Sequence, residues 1–212
     1  SGGDALVGSL IAHGTQRVFA LPGAQIYGLT DALARSREQI TTIGARHEQS
    51  CAYMAFGYAR SSGRPGVCAV VPGPGILNAS AALLTAHGCN VPVLAITGDV
   101  ESAFKDRGRG QLHELPGQLD ILRTLGKSAV HIEQPAEASW QVARAFQTMN
   151  SGRPGVVSVQ ASWDFFTRRA PVVIQPPLAL QPKPPVDDDK IAEVARLLKN
   201  AKNPMILVGS GA

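Results

Sequence analysis

Residues 67–98 read VCAVVPGPGILNASAALLTAHGCNVPVLAITG, and this stretch decides the fold class. Two fully apolar runs lie at residues 67–71 and 93–97, and such runs are typical of strands buried on both faces of a parallel sheet. Between them, a Pro-Gly-Pro-Gly turn precedes an alanine- and leucine-rich helical pattern. The stretch therefore predicts a strand–helix–strand unit with a parallel sheet.

The same alternation continues on both sides of this stretch. Towards the amino end we expect a helix around residues 7–11, a strand at 17–21, a helix at 25–37, a strand at 41–45 and a helix at 48–62. Beyond residue 98 we expect a helix at 118–125, a strand at 128–132, a helix at 142–149 and a strand at 156–160. The pattern predicts an α/β fold of three layers, a doubly wound, mainly parallel sheet with helices on both faces.

Composition divides the chain into three parts. Residues 1–169 hold the alternating pattern of one α/β domain, whereas residues 170–186 are rich in proline and lack glycine, which predicts an extended linker. Residues 187–212 contain one amphipathic helix, with acidic residues at its start, and one predicted strand at Met205–Val208. Because one helix and one strand cannot bury a core, we expect these residues to begin a truncated middle α/β domain.

Bulk properties favour a globular protein with a buried core and argue against nucleic-acid binding. The net charge is +4, and no cluster of basic and aromatic residues indicates nucleic-acid binding. We find no apolar run long enough to cross a membrane and no signal peptide pattern, so we expect no membrane contact and a cytoplasmic location. Cys51, Cys68 and Cys89 lack metal-binding spacing and lie in apolar runs, which predicts buried free thiols in a reducing compartment.

Two nucleotide-binding motifs are present only in part. Gly73 and Gly75 match the first two glycines of a dinucleotide fingerprint, but Asn78 stands where the third glycine belongs. A Gly-Lys-Ser triplet at residues 126–128 resembles the end of a phosphate-binding loop, but Ile121 replaces its required first glycine. A non-catalytic nucleotide-binding or regulatory α/β module therefore stays open as the alternative function.

Five segments together are much more specific than these partial motifs. They are VFALPG at 18–23, RHEQ at 46–49, PGPGILN at 72–78, VPVLAITG at 91–98 and SGRPGVV at 151–157. Their order and spacing resemble the N-terminal, pyrimidine-binding domain of thiamine-diphosphate-dependent enzymes of the acetolactate synthase and 2-oxo acid decarboxylase type. The resemblance covers about residues 4–165.

This resemblance implies a catalytic role for Glu48. In the family, a glutamate lies against N1′ of the aminopyrimidine ring and favours the imino tautomer, whose nitrogen takes the C2 proton of the cofactor. Glu48 occupies the matching position, and a dry site would let its carboxyl share a proton with the ring. Taken without the surrounding motifs, a glutamate at a helix start is usually a solvated charge.

The resemblance also implies a set of cofactor-binding residues. Pro22 and Gly23 form the turn that approaches the pyrimidine, while Gly73 and Gly75 let the backbone come close to a ring. Each of these turns is equally expected of an ordinary strand end. Asn78 either holds this loop, faces the pyrimidine or caps the following helix.

The substrate side is assigned to the loop around Gln111 and His113. This loop falls where acetolactate synthases carry a Phe-Gln-Glu segment that faces the reaction centre, and His113 takes the glutamine position. A solvent-exposed loop histidine is the alternative. Ala24 also stands where the synthases often carry a second glycine, so decarboxylase, carboligase and oxidase activities stay open.

Further parts of the enzyme are implied to lie outside this chain. In the family, a Gly-Asp-Gly motif and an asparagine in a C-terminal domain hold Mg²⁺ against the cofactor diphosphate. The nearest match here, Gly98-Asp99-Val100, does not qualify, so we expect no metal site in residues 1–212. The resemblance implies thiamine diphosphate as cofactor, a 2-oxo acid substrate, a homo-oligomer that is at least a dimer, and an inactive isolated chain. FAD binding stays open.

Overall fold

The computed structural model describes residues 1–209 as an α/β protein. Its strands are β1 (Arg17–Ala20), β2 (Thr41–Gly44), β3 (Gly66–Val70), β4 (Val93–Asp99), β5 (Ser128–Ile132) and β6 (Val157–Ser162). Its α-helices are α1 (Gly2–Ala12), α2 (Tyr27–Arg35), α3 (Glu48–Ser62), α4 (Pro74–Gly88), α5 (Gln118–Thr124), α6 (Ala138–Asn150) and α7 (Asp188–Asn200). Short 3-10 turns occur at Ala24–Ile26, Pro135–Glu137 and Trp163–Phe166.

The six strands form one sheet in the order β2-β1-β3-β4-β6-β5, and every pair is parallel. On one face, α1, α2 and α6 cover a core that includes Leu6, Leu29 and Phe146. On the other face, α3, α4 and α5 cover a core that includes Leu83 and Leu122. The predicted three-layer, doubly wound fold is therefore confirmed.

The strand order creates a crevice at the carboxyl ends of β1 and β3. From β1 the chain continues to β2 at one edge, whereas from β3 it continues towards the other edge, so the loops that follow β1 and β3 diverge. Ligands of doubly wound sheets bind at such switch points. The loop after β1 begins at Leu21, and the loop after β3 begins at Val71.

Residues 1–209 divide into two units. The first comprises Ser1–Leu180, and the second begins at Gln181, inside the predicted linker. Residues 168–187 contain no regular secondary structure. The linker residues that belong to the first unit are tied to α6, because Gln175 N donates to Ser139 Oγ at 2.7 Å and Gln147 Nε2 donates to Ala179 O at 2.6 Å.

The second unit confirms its predicted helix but not its predicted strand. Asp187 caps α7 by accepting a hydrogen bond from Lys190 N, as the acidic start of the segment predicts. The prediction of a strand at Met205–Val208 is wrong, since these residues are exposed and have no regular structure. A strand needs neighbours for its backbone hydrogen bonds, and the described residues of this unit offer none. Residues 210–212, which follow this predicted strand, lie outside the described residues.

The cysteine prediction is correct for two residues and wrong for the third. Cys51 and Cys68 are buried free thiols, and burial raises the pKa of Cys51 to about 11 and that of Cys68 to about 12. Cys89 is exposed, because it lies at the C-terminal cap of α4, where the chain leaves the core. Within residues 1–209, no helix combines the length and apolarity needed to span a bilayer.

Candidate active site

Three glycines bring the loops after β1 and β3 together at the crevice. A methyl group at Gly23 would overlap Cγ1 of Val71, and one at Gly75 would lie 2.5 Å from Cγ2 of the same valine. Val71 is buried between them. A side chain at Gly23 would push the two loops apart, and one at Gly75 would displace Val71 within the loop after β3, so the crevice is lined by backbone that a flat ring can approach closely.

Gly73 is required by both its conformation and its surroundings. It has φ of +58°, in the left-handed region that favours glycine, and a methyl group there would overlap the carbonyl oxygen of His113. Its amide donates a 2.7 Å hydrogen bond to Oε1 of the buried Gln118 side chain. This turn places Pro74 at the first position of α4.

Glu48 faces the crevice from the start of α3. The His47 ring accepts a hydrogen bond from Gln49 N and caps the helix, which fixes the turn that presents Glu48. Glu48 is half-buried, and its Oε2 accepts a 3.0 Å hydrogen bond from Asn78 Nδ2. Its Oε1 would lie 3.4 Å from a methyl group at Gly75 and accepts no hydrogen bond from the described residues. A carboxylate with one free oxygen beside a bare glycine surface can hold a proton at a ring nitrogen.

The structure distinguishes between the open possibilities for Asn78. Gly73 is the N-terminal cap of α4, so Asn78 lies inside the helix and the capping alternative is wrong. Its side chain is exposed and bonds Glu48, which places it beside the carboxylate. Pro22 is exposed and lies in the loop after β1, next to Gly23.

The loop that carries Gln111 and His113 is held by Glu114. The Glu114 carboxylate accepts hydrogen bonds from Gly108 N at 3.0 Å and from Gln111 N at 2.9 Å. His113 has φ of +63° and is half-buried, and its Nδ1 is buried without a hydrogen-bond partner among the described residues. The His113 ring is therefore only partly exposed, and its backbone lies against Gly73.

Three residues that shape this crevice were not predicted from the sequence. Val71 ends an apolar run immediately before the Pro-Gly-Pro-Gly turn, and this signal could have identified it. Gln25, in the 3-10 turn after β1, donates from Nε2 to Leu112 O at 2.9 Å. Gln25 and Gln118 are almost fully buried, but no pattern in the sequence distinguishes a buried glutamine from an exposed one.

A second group of polar side chains lies at the carboxyl ends of β4, β5 and β6. Gln118 Nε2 donates to Gln160 Oε1 at 3.1 Å, and Gln160 Nε2 donates to Asp99 Oδ2 at 3.0 Å. Gln160 Nε2 also lies 3.0 Å from His131 Nδ1, which must accept because the amide donates. Burial raises the pKa of Asp99 and lowers that of His131 to about 4.

These arrangements can be tested against the needs of thiamine diphosphate. The free Glu48 oxygen and the glycine surface fit the aminopyrimidine half of that cofactor. Among residues 1–209, no three His, Cys, Asp or Glu side chains are grouped in a way that could hold a metal ion. The described residues therefore fit one half of the cofactor.

Comparison with known proteins gives similar sequences along nearly the whole chain. The chain is 34% identical over 216 residues to a chloroplastic acetolactate synthase of Arabidopsis thaliana, with 99% of this chain and 32% of that protein covered. It is 33% identical over 213 residues to a probable 2-ketoarginine decarboxylase, AruI, of Pseudomonas aeruginosa, with 99% and 37% covered. A chloroplastic acetolactate synthase 1 of Zea mays is 37% identical, with 99% and 33% covered.

The chain spans about a third of the length of these curated relatives. Residues 1–122 match the family described as thiamine pyrophosphate enzyme, N-terminal TPP binding domain. Nothing in these matches supports the alternative of a non-catalytic nucleotide-binding module. The match covers more than half of the chain and agrees with the crevice around Glu48, so the chain belongs to the family of N-terminal, cofactor-binding domains of thiamine pyrophosphate enzymes.

Proposed function

We propose that this chain is the N-terminal part of a full-length thiamine-diphosphate enzyme that acts on a 2-oxo acid as a decarboxylase or a carboligase, that is, as a lyase or a transferase. The observation that carries the proposal is the Glu48 carboxylate, whose Oε1 is free beside Gly75 at the switch point of the sheet. Relatives with the names acetolactate synthase and 2-ketoarginine decarboxylase support the substrate class.

Each residue of the crevice has a definite task in this proposal. Bound thiamine diphosphate supplies a nucleophilic carbon and an electron sink for the 2-oxo acid. Glu48 Oε1 holds a proton at the ring nitrogen, and Asn78 keeps Oε2 occupied so that one oxygen is directed to the ring. Gly73 and Gly75 provide the backbone surface for the ring, and Pro22 and Gly23 form its opposite wall. His113 and Gln111 contact the substrate side.

In this proposal, the remaining parts of the site come from polypeptide outside this chain. Glu48 is only half-buried in this chain, so a further surface must cover it before water is excluded. We propose that this surface is the C-terminal domain of a second subunit, in a homodimer, and that this domain holds Mg²⁺ against the diphosphate. The isolated chain is then inactive.

We also propose that the enzyme works in the cytoplasm. The three cysteines are free thiols in the structure, and one of them is exposed, which suits a reducing compartment. Microscopy of the full-length protein carrying a fluorescent tag tests this location. The absorption spectrum of the purified protein tests for FAD.

The decisive experiment compares the full-length protein with its Glu48→Gln variant. Calorimetric titration with thiamine diphosphate and Mg²⁺ should show binding by both, while pyruvate turnover by the variant should fall about 10²- to 10⁴-fold, because a positioned acid–base group contributes rate on that scale. Glu38→Gln, which changes an exposed glutamate in the turn between α2 and β2, is the matched control and should keep full turnover. No cofactor binding by the unmodified protein, or normal turnover by Glu48→Gln or by the isolated chain, would contradict the proposal.

A further inference from the structure

A buried glutamine, Gln118, joins the crevice to the rest of the sheet. It is the first residue of α5, and only 3% of it is exposed. Its Oε1 accepts from Gly73 N at 2.7 Å, and its Nε2 donates to Gly98 O at 3.0 Å and to Gln160 Oε1 at 3.1 Å. Both amide hydrogens are therefore used, and the acceptor is committed to the loop after β3.

The hydrogen bond from Gly73 to Gln118 holds a part of the crevice backbone that has little room to move. Gly73 is packed against the His113 carbonyl on one side and bonded to Gln118 on the other. Two residues later the same loop presents Gly75 to Glu48. A shift of the Gly73 amide would therefore move the glycine surface relative to the Glu48 carboxylate.

The network behind Gln118 makes it a rigid support. Gln160 is also almost fully buried and bonds both Asp99 and His131, so the Gln118 amide cannot rotate without breaking bonds in a buried, polar network. Leaving a buried donor or acceptor unpaired costs about 1–3 kcal/mol, so this orientation is strongly preferred. The Gly73 amide thus takes its position from β4 and β6 as well as from its own loop.

We propose that Gln118 is a positioning residue for cofactor binding, acting through the Gly73 amide. This inference rests on the proposed function, since it assigns Gln118 to the cofactor side of that site. It predicts that losing the Gln118 side-chain amide weakens thiamine diphosphate binding more than it weakens the fold.

Ser139 supplies a comparison away from the crevice. It lies on α6, only 1% of it is exposed, and its Oγ accepts from Gln175 N at 2.7 Å. Ser139→Ala removes the hydrogen bond of a buried side chain without changing any residue of the crevice, so it shows how much affinity a general loss of stability costs.

The test measures the Kd of thiamine diphosphate, in the presence of Mg²⁺, for the full-length protein and for Gln118→Met and Ser139→Ala. We expect Gln118→Met to raise the Kd about 10-fold, the scale of one lost buried hydrogen bond, and Ser139→Ala to leave it within about twofold. Hydrogen exchange at the Gly73 amide should quicken in Gln118→Met even without cofactor. Equal loss of affinity in both variants, or none in Gln118→Met, would overturn the inference.

Gln118→Glu keeps the test decisive if the methionine variant does not fold. Its carboxyl can still accept from Gly73 N, but when ionised it cannot donate to Gly98 O or Gln160 Oε1. Relative to the unmodified protein at each pH, its affinity should therefore recover as the pH falls and the carboxyl becomes protonated. An affinity ratio that does not change with pH would contradict the positioning role. If the unmodified protein binds no cofactor, the proposed function itself fails, and this result is distinct from either outcome for Gln118.

Discussion

Two polar regions at the carboxyl edge of the sheet are built in opposite ways. The first, which we call the cofactor edge, consists of Gly23, Glu48, Gly73, Gly75 and Asn78. Its carboxylate is half-buried, and one of the carboxylate oxygens has no partner in the described residues. The second, which we call the buried network, consists of Asp99, Gln118, His131 and Gln160, and its amides bond one another and the backbone.

In the proposed function, the contrast separates the part of the molecule that binds a ligand from the part that supports it. Buried polar groups are normally satisfied within the fold, because unpaired ones are costly. The buried network follows this rule. The cofactor edge keeps hydrogen-bonding capacity for something outside the chain, and it keeps its position because the buried network holds Gly73.

We expect the largest effect from a substitution at Gly73, the residue at which the two regions meet. Gly73→Ala would force a left-handed residue to carry a methyl group against the His113 carbonyl, so we expect a loss of roughly 3 kcal/mol in the free energy of unfolding and a large loss of cofactor affinity. Urea unfolding and calorimetric titration measure these two effects.

Gly63→Ala is the control for a positive φ without a steric contact. Gly63 has φ of +69° and ψ of 11° at the C-terminal cap of α3, and a methyl group there would meet nothing within 4 Å. It should lose only about 1–2 kcal/mol and no cofactor affinity. Gly73, with ψ of −117°, lies in a region less accessible to alanine, so equal losses from both substitutions would mean that neither this conformation nor the His113 contact adds to the cost of a positive φ.

The two regions also differ in how far the sequence predicted them. The glycines and Glu48 of the cofactor edge could be identified because each of them lies within a short sequence motif. Glu48–Ser62 and Ser128–Ile132 even have the predicted bounds, since helix caps and apolar runs are local signals. The sheet order β4-β6-β5 carries no such signal, and it is this order that places Gln160 between Asp99 and His131.

A pH experiment tests the buried network on its own. The pKa of His131 is lowered by burial from 6.5 to about 4, with the Lys105 charge adding in the same direction and Glu133 opposing it. The unfolded state therefore binds a proton first as the pH falls, and stability is lost between about pH 6.5 and pH 4, by up to about 3 kcal/mol. His131→Asn should remove this loss, because its side-chain oxygen can accept from Gln160 but cannot titrate. Urea unfolding at a series of pH values measures how the free energy of unfolding changes with pH.

Asp99→Asn should change the pH dependence of the free energy of unfolding in the opposite sense to His131→Asn. Burial raises the pKa of Asp99, so its contribution to stability is present at low pH and is lost as the pH rises through the folded-state pKa. Removing this contribution should make the acid loss from His131 steeper. Identical pH dependence in the unmodified protein and in both variants would show that the network does not control the acid stability.

The smallest effect is expected at the exposed side of the cofactor edge. Asn78→Ala removes the 3.0 Å hydrogen bond to Glu48 Oε2, but both groups reach solvent, so water can replace the amide. We expect turnover to fall by only about two- to fivefold and the free energy of unfolding to change by less than about 0.5 kcal/mol. Asn78→Asp, which places a second carboxylate beside Glu48, should be worse than alanine, because like charges at this distance disfavour an ionised Glu48. An aspartate variant as active as the unmodified protein would show that Asn78 does not direct the carboxylate, and that Gly75 and the helix start alone orient Glu48.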